Sequence, residues 1–294
     1  VFYKYKYSII IYGDQIMANS AVNPLFKHFR QPSVYIKLPS QGRFWPDNSL
    51  DLPPNEEIAI YPMTVKDEIT FKTPDALMNG SGVVEVIHSC CPNIKNAWAT
   101  PTSDIDAILI AIRIASYGNN MDIMSVCPHC GEENENTVDL RILLDSLVTA
   151  DYSPTVINGL TFNFKPQTFK TMNEANLITF EQEKLIRAIN SSELTEEQKL
   201  TEFNKIFPTL TDMNVMTIVN CIQSITTEDD VEVTELKLIK EFIYNCDRML
   251  FNQIKEHLEE IAQSQKIKPL TINCSSCTKE YSTDLTFEQS NFFG

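Results

Sequence analysis

The sequence predicts an α+β fold, mainly helical: a split four-cysteine ribbon with a long helical insertion, preceded by an extended, mixed N-terminal region. Three observations predict it. Two C-x-x-C pairs stand far apart, Cys127-Pro128-His129-Cys130 and Cys274-Ser275-Ser276-Cys277, in matching frames. Each is followed by a glutamate (Glu133, Glu280) and then by threonine and Asp-Leu (Thr137, Asp139-Leu140; Thr283, Asp284-Leu285). Between the pairs, apolar residues recur at helical spacing over most of residues 140–267. Before them, residues 21–61 are punctuated by Pro24, Pro32, Pro39, Pro46, Pro53 and Pro54 and carry few helix signals.

The cysteine pairs decide how the fold is read. Two residues between paired cysteines let both sulfurs face one ion, and two such knuckles complete a tetrahedral thiolate site. Cys127, Cys130, Cys274 and Cys277 are therefore expected to hold one structural Zn2+, making residues 122–139 and 268–286 the two halves of a zinc ribbon. Four thiolates close the coordination shell and leave no position for a reactive water, which argues against catalysis. The competing readings are unpaired thiols or two disulfides. His129 lies inside the first knuckle and is expected to face solvent.

The remaining elements follow in order. Residues 1–16 read as a non-native translated leader: residues 1–12 are rich in Tyr, Lys and Ile, as a translated AT-rich stretch would be, and the biological start is expected at Met17. Residues 17–65 form the extended N-terminal segment, with short strands at 34–38 and 57–61. Residues 66–121 are the α region. Thr73-Pro74-Asp75-Ala76 starts a helix, with Thr as N-cap and Pro at the first position. A second helix runs through Val83, Val84, Val86 and Ile87. Ser103-Asp104-Ile105-Asp106 opens the clearest helix, with Ile105, Ile108, Leu109, Ile112 and Ala115 on one stripe and Gly118 as its stop. After the first knuckle, 140–147 is helical. Asn158-Gly159 sets a type I′ hairpin near 155–164, inside the insertion. Thr195-Glu196-Glu197-Gln198 is a capping box. Helical spacing runs from 209 to 225, 227–230 is an acidic turn, and 235–265 reads as one long helix. Residues 287–294 form a tail ending in Phe292-Phe293-Gly294.

Composition narrows the function. A net charge of -15 without a Lys/Arg-rich run disfavours nucleic acid and anionic membrane surfaces, because phosphate neutralisation supplies most nucleic-acid affinity. No apolar stretch is long enough to span a bilayer. Eight cysteines are too few for a disulfide scaffold. Cys90, Cys91, Cys221 and Cys246 are expected to pack as small buried thiols in a reducing environment. The chain has no P-loop, G-x-G-x-x-G, G-x-S-x-G or H-E-x-x-H motif. His88 beside Cys90 and Cys91 suggests a second metal site or a nucleophile, but a helix end with buried thiols accounts for it more simply. Asp104, Asp106, Glu133 and Asp139 show no paired spacing for acid–base work, and helix capping or solvation explains them better.

Several stretches nevertheless resemble a known family. Pro39-Ser40-x-Gly42-Arg43-Phe44, Pro62-Met63-Thr64-x-Lys66-Asp67-Glu68 and Thr73-Pro74-Asp75-Ala76-Leu77-Met78-Asn79-Gly80 resemble the baseplate hub proteins of T-even-type contractile-tailed bacteriophages. Ala111-Ile112-Arg113-Ile114-Ala115-Ser116-Tyr117-Gly118, Cys127-Pro128-x-Cys130-Gly131 and the Asn291-Phe292-Phe293 tail are similar to the same family. The resemblance implies a structural or assembly role at the centre of the tail baseplate, in the virion or in the host cytoplasm during assembly, and not an enzyme. The implied partners are other tail and hub proteins, bound through the extended segment, the Phe-rich tail and the apolar helix faces; self-association is left open. The competing classes are a zinc-ribbon regulator that binds nucleic acid and, behind it, a zinc-stabilised enzyme.

Overall fold

The computed structural model describes residues 25, 28–192 and 194–283. The chain divides into two compact units, Val1–Arg30 and Gln31–Gly294. In the first, the described residues form a turn in which the His28 N–H donates to the Leu25 carbonyl at 2.8 Å. The proposed leader and the Phe-rich tail lie outside the described residues. The second unit is mixed α/β, and its described elements gather around two apolar cores and one small cysteine-lined cluster.

The first core is built on β1 (Val34–Lys37) and β2 (Glu57–Ile60), the two short strands expected here, which pair antiparallel. Three helices follow: α1 (Val65–Phe71), α2 (Pro74–Met78) and α3 (Ser81–Cys90). α1 starts at a capping box in which the Asp67 carboxylate accepts from the Thr64 N–H at 2.7 Å, while Thr64 Oγ1 accepts from the Asp67 N–H. Pro74 opens α2 as expected, but the Thr73 hydroxyl donates backward to the Ile69 carbonyl and so ties α2 to α1.

At the centre lies α4 (Thr102–Tyr117). It was expected to bury a single stripe. Instead Ile105, Ala107, Ile108, Leu109, Ile110, Ala111, Ile112 and Ile114 are all buried, which covers every side of the helix. β1, β2, α3, α5 (Leu140–Ser146) and Phe169 surround it. A helix apolar all round belongs in the middle of a core. Each such isoleucine removed from water contributes about 2 kcal/mol. Gly118 ends α4 at φ 90°, ψ 179°, a conformation essentially reserved for glycine.

β3 (Asn120–Val126) and β4 (Glu133–Asp139) form the first cysteine hairpin. Then comes the hairpin of β5 (Thr155–Ile157) and β6 (Leu160–Phe164), with Asn158 at φ 50° and Gly159 at φ 80°, as a type I′ turn requires. α6 (Phe169–Asn190) and α7 (Glu196–Asn220) pack as a helical pair, and α7 starts at the expected capping box, where the Gln198 N–H meets Thr195 Oγ1 and the Thr195 N–H meets Gln198 Oε1.

Here the structure corrects two expectations. The insertion is not purely helical: β7 (Ile222–Thr226) and β8 (Glu232–Val233) join β5 and β6 in a four-stranded sheet, ordered β5-β6-β7-β8. The helical spacing read through 225 stops at Cys221, because pairing Ile225 with Phe162 and Ile222 with Phe164 buries both isoleucines on the sheet. Nor is the last helical stretch continuous. α8 (Leu236–Asn245) ends at an extended Cys246, and α9 (Arg248–Ser264) restarts with Asp247 as N-cap, its carboxylate accepting from the Leu250 N–H at 3.0 Å. The break lets Ile239 and Ile243 of one helix and Leu250, Ile254 and Ile261 of the other all reach the second core. β9 (Leu270–Asn273) and β10 (Glu280–Thr283) form the last described hairpin. No described helix is long and apolar enough to cross a membrane.

Candidate metal centre

Each cysteine pair sits at the tip of a hairpin, and the two tips are built alike. In the first, the Cys127 N–H donates to the Glu132 carbonyl at 2.9 Å and the Gly131 N–H returns to the Cys127 carbonyl at 2.9 Å. In the second, the Cys274 N–H donates to the Lys279 carbonyl and the Thr278 N–H to the Cys274 carbonyl, both at 3.0 Å. The residue four after the leading cysteine must turn left-handed: Gly131 has φ 76° and Thr278 φ 58°. The repeated frame seen in the sequence is thus a repeated backbone geometry.

The tips meet. Cys127 Sγ lies 3.7 Å from Cys277 Sγ, and Cys130 Sγ lies 3.6 Å from Cys274 Sγ. All four sulfurs fall within 4.8 Å of one another, and none is disulfide-bonded. A tetrahedral ion with metal–sulfur bonds of about 2.3 Å sets its sulfurs about 3.8 Å apart. The donor set therefore fits a tetrahedral thiophilic cation, with all four residues named from the sequence brought to one point. His129 lies exposed on the knuckle, outside the sulfur set.

Electrostatics at the cluster favour a cation. The Cys274 thiol is lowered to about 6 by the backbone N–H groups of Cys277 and Ser276, helped by Cys130 and Asn134. Cys130 is pushed up to about 12: an N–H from Glu132 favours its thiolate, but desolvation and the sulfurs of Cys274, Cys277 and Cys127 outweigh it. One proton leaves readily and the next is held back by the charge the first leaves behind. A divalent cation removes that conflict.

Around the sulfurs stands a polar frame that the sequence did not announce. Asn134 is buried on β4 and joins the two knuckles. Its Oδ1 accepts from the Ser275 N–H and from Ser275 Oγ, each at 2.8 Å, and its Nδ2 donates to the Glu132 carbonyl at 3.1 Å and to Cys274 Sγ at 3.6 Å. Ser125 Oγ and Tyr281 Oη share a 2.7 Å hydrogen bond across the hairpins. An asparagine in a polar strand carries no spacing signal, and its partner lies 141 residues away, so Asn134 becomes visible only in three dimensions. The exposed surface here bears Glu132, Glu133, Glu135 and Glu280 against Lys279, a net acidic patch.

The other residues weighed for chemistry take structural places. Cys90 and Cys91 are fully buried, and the His88 ring accepts from the Ala97 N–H at 2.9 Å, with burial lowering its pKa. Cys221 and Cys246 are only half-buried. Asp106 and Glu133 are exposed, and Asp139 caps α5 and pairs with Arg141 at 2.7 Å. Asp104 is neither a cap nor solvated. It is fully buried, with its carboxylate accepting from the Ser40 N–H (2.8 Å), Ser40 Oγ (2.5 Å) and Trp45 Nε1 (2.8 Å).

Comparison of the chain with curated proteins, and with solved structures, finds no significant match. A family model described as T4 bacteriophage base plate protein, in contrast, matches residues 33–294, a span that takes in the first core, the insertion and both cysteine hairpins. The chain belongs to this T4-type phage baseplate family, and its place is the baseplate of the virion tail.

Proposed function

We propose that the chain is a structural or assembly component of the baseplate hub, working by protein–protein binding, with a structural Zn2+ held by Cys127, Cys130, Cys274 and Cys277. The observation that carries this reading is the convergence of sulfurs 144 and 150 residues apart in sequence. One ion there clips the two ends of the insertion to the same point and fixes the binding surfaces on either side of it. The α6–α7 pair offers such a surface: Phe180, Leu185, Leu200 and Phe207 on the helices and Leu194 in the connection between them are all exposed, and exposed apolar side chains of this kind mark interaction surfaces. Family membership implies contact with other phage tail proteins.

Mass spectrometry of purified virions against infected-cell lysate tests the role, with zinc measured on the purified chain. About one zinc per chain is expected from four thiolates. Presence in particles, with crosslinks to proteins at the centre of the baseplate, identifies a hub component; presence only in assembly intermediates identifies an assembly factor. A chain that binds no tail protein and is absent from both overturns the reading.

Thr278 supplies a further expectation. A β-branched residue at φ 58° is strained, where the equivalent position of the first knuckle carries glycine. Thr278→Gly should relieve about 1 kcal/mol and tighten zinc binding severalfold in competition with a chelator. Unchanged or weaker affinity would show that the Thr278 hydroxyl, which donates to the Cys277 carbonyl at 2.7 Å, outweighs the strain.

A further inference from the structure

The two cysteine hairpins touch at their tips and part behind them. Asn134 and Ser275 join them near the sulfurs. Further along, β4 and β9 leave a cleft of about 620 Å3, walled by residues 136–139 on one side and 268–273 on the other, with Ile142, Leu143 and Ser146 of α5 completing it. Each hairpin has only two strands, and among the described residues no strand pairs with the outer edge of β4 or of β9.

The phase of those edges follows from the knuckle bonds. Cys127 pairs by hydrogen bond with Glu132, and Cys274 with Lys279. Hydrogen-bonded and non-bonded pairs alternate along an antiparallel ladder. In the established registers, Thr137 of β4 and Thr271 and Asn273 of β9 therefore turn their N–H and C=O groups outward, as does the N–H of Asp139, whose C=O is taken up by the first turn of α5. Both walls of the cleft thus carry backbone donors and acceptors at a two-residue repeat. In addition, Asn136 Nδ2 is buried at the wall without a hydrogen-bond partner among the described residues.

We propose that this cleft receives one extended segment of another baseplate protein, which adds as a strand between β4 and β9 and joins the two hairpins into one five-stranded sheet. Backbone groups repeating on both sides suit a polypeptide in extended form, the mode of strand addition. Two-stranded hairpins are marginal alone, and a third strand supplies what they lack. Charge selects the occupant. The cleft's own lining is balanced, Asp139 against Lys268. Around it Glu133, Glu135 and Glu280 outnumber Lys279 on the exposed hairpin surface, and the chain carries -15 overall, so a Lys- or Arg-bearing segment of a different protein is favoured over a second copy of this one. The inference rests on the reading of the chain as a protein-binding component.

Proline at an outward-facing position removes the exposed N–H while sparing the hairpin's own backbone bonds. At Thr137 it also removes the side-chain bond to Asp122 (2.6 Å), a loss that Thr137→Val reproduces without touching the N–H and so controls for. The full-length zinc-loaded chain, as wild type, Thr137→Pro or Thr271→Pro, is supplied to phage lacking the gene; zinc content and thermal melting verify each variant. Incorporation into baseplates should fall on the order of tenfold for either variant, the loss expected from one or two interfacial hydrogen bonds. In parallel, a photo-crosslinking amino acid at Ile142, which is 72 % exposed, should link the wild-type background to a basic segment of another baseplate protein, and Thr271→Pro should abolish that link. Zinc-replete proline variants that incorporate at wild-type levels overturn the proposal while leaving the hub reading intact. So does a crosslink to a second copy or to residues 284–294 of the same chain. A wild-type chain that never joins a baseplate intermediate defeats the hub reading, and the cleft proposal with it.

Discussion

Cys274→Ser is expected to release the metal and melt both cysteine hairpins, while the two apolar cores remain folded. The hairpins have almost no core of their own: Cys127, Ile272, Cys274 and Tyr281 are the buried apolar residues they share, backed by Ile123, Leu270 and Cys277. Two of those four are metal ligands in the proposed site. Isolated two-stranded hairpins are marginal in water, so the ion supplies most of what holds them together. Structural zinc contributes on the order of 10 kcal/mol to small domains that fold around it, and loss of one of four thiolates forfeits much of that. The first core does not depend on the ion, since α4 is wrapped by β1, β2, α3 and α5. Unfolding is therefore expected to be local rather than two-state. Amide hydrogen exchange reads it directly: protection in residues 120–139 and 270–283 should drop to that of a mobile loop, with α4 unchanged. Equal protection of those hairpins in the zinc-bound and chelated wild-type protein would refute the stabilising role of the metal. Loss of protection throughout the chain would show that the clip holds the whole fold.

How much of this was legible before the structure depends on whether the signal was local. The cysteine frame was legible because a knuckle is a four-residue object, and two matching knuckles point to each other. The Asn158-Gly159 turn and the Thr195 capping box were legible for the same reason. β7 was not, because Ile222, Ser224 and Ile225 fit a helical spacing as well as a strand, and only pairing with Phe162 and Phe164 decides between them. The break at Cys246 and Asp247 had a local sign, an aspartate able to cap the N–H three residues further on, but continuous apolar periodicity masked it. The stretches that carried the family resemblance turn out to be joints of the fold. Thr64 and Asp67 form a capping box that Ser89 also contacts at 3.0 Å. Gly80 turns at φ 74° beneath Asn173, whose Nδ2 donates to the Asn79 carbonyl at 2.9 Å. Glu68 accepts from the Tyr117 hydroxyl at 2.8 Å, and Arg113 lies 4.6 Å from the centre of the Tyr117 ring. None of these has a chemistry that sequence alone would name, because each works by contact with a residue far away in the chain.

Ser40 and Asp104 form the most consequential of these joints. The loop after β1 has no regular structure; it is held by short turns and by left-handed residues at Gln41, Gly42, Phe44 and Asn48. Its anchor in the first core is the Asp104 carboxylate, which takes three hydrogen bonds from Ser40 and Trp45. Asp104→Ala strands those three donors in a buried place. At roughly 1–3 kcal/mol for each unsatisfied group, with partial relaxation of the loop, the expected loss is about 4 kcal/mol, enough to lower the denaturation midpoint sharply. Asp104→Asn keeps the shape and one acceptor, so it should cost less and fold. The two variants separate packing from charge through their pH dependence. Burial raises the Asp104 pKa above the ordinary carboxylate value, against the opposing hydrogen bonds from Ser40 and Trp45. The folded protein therefore holds this proton more tightly than the unfolded chain does. The resulting stability is fully present below the unfolded carboxylate pKa and is lost as pH rises through the raised, folded one. Amide 104 in D104N does not titrate, so the stability of wild type relative to D104N should be greatest at the acid end of that window and decline to a plateau above it. Urea denaturation of both proteins at a series of pH values across the window measures that difference. A difference that instead rises with pH through the unfolded carboxylate pKa would mean that Asp104 stays ionised in the folded protein, its three donors outweighing the cost of burial; a difference independent of pH would mean that the two effects cancel.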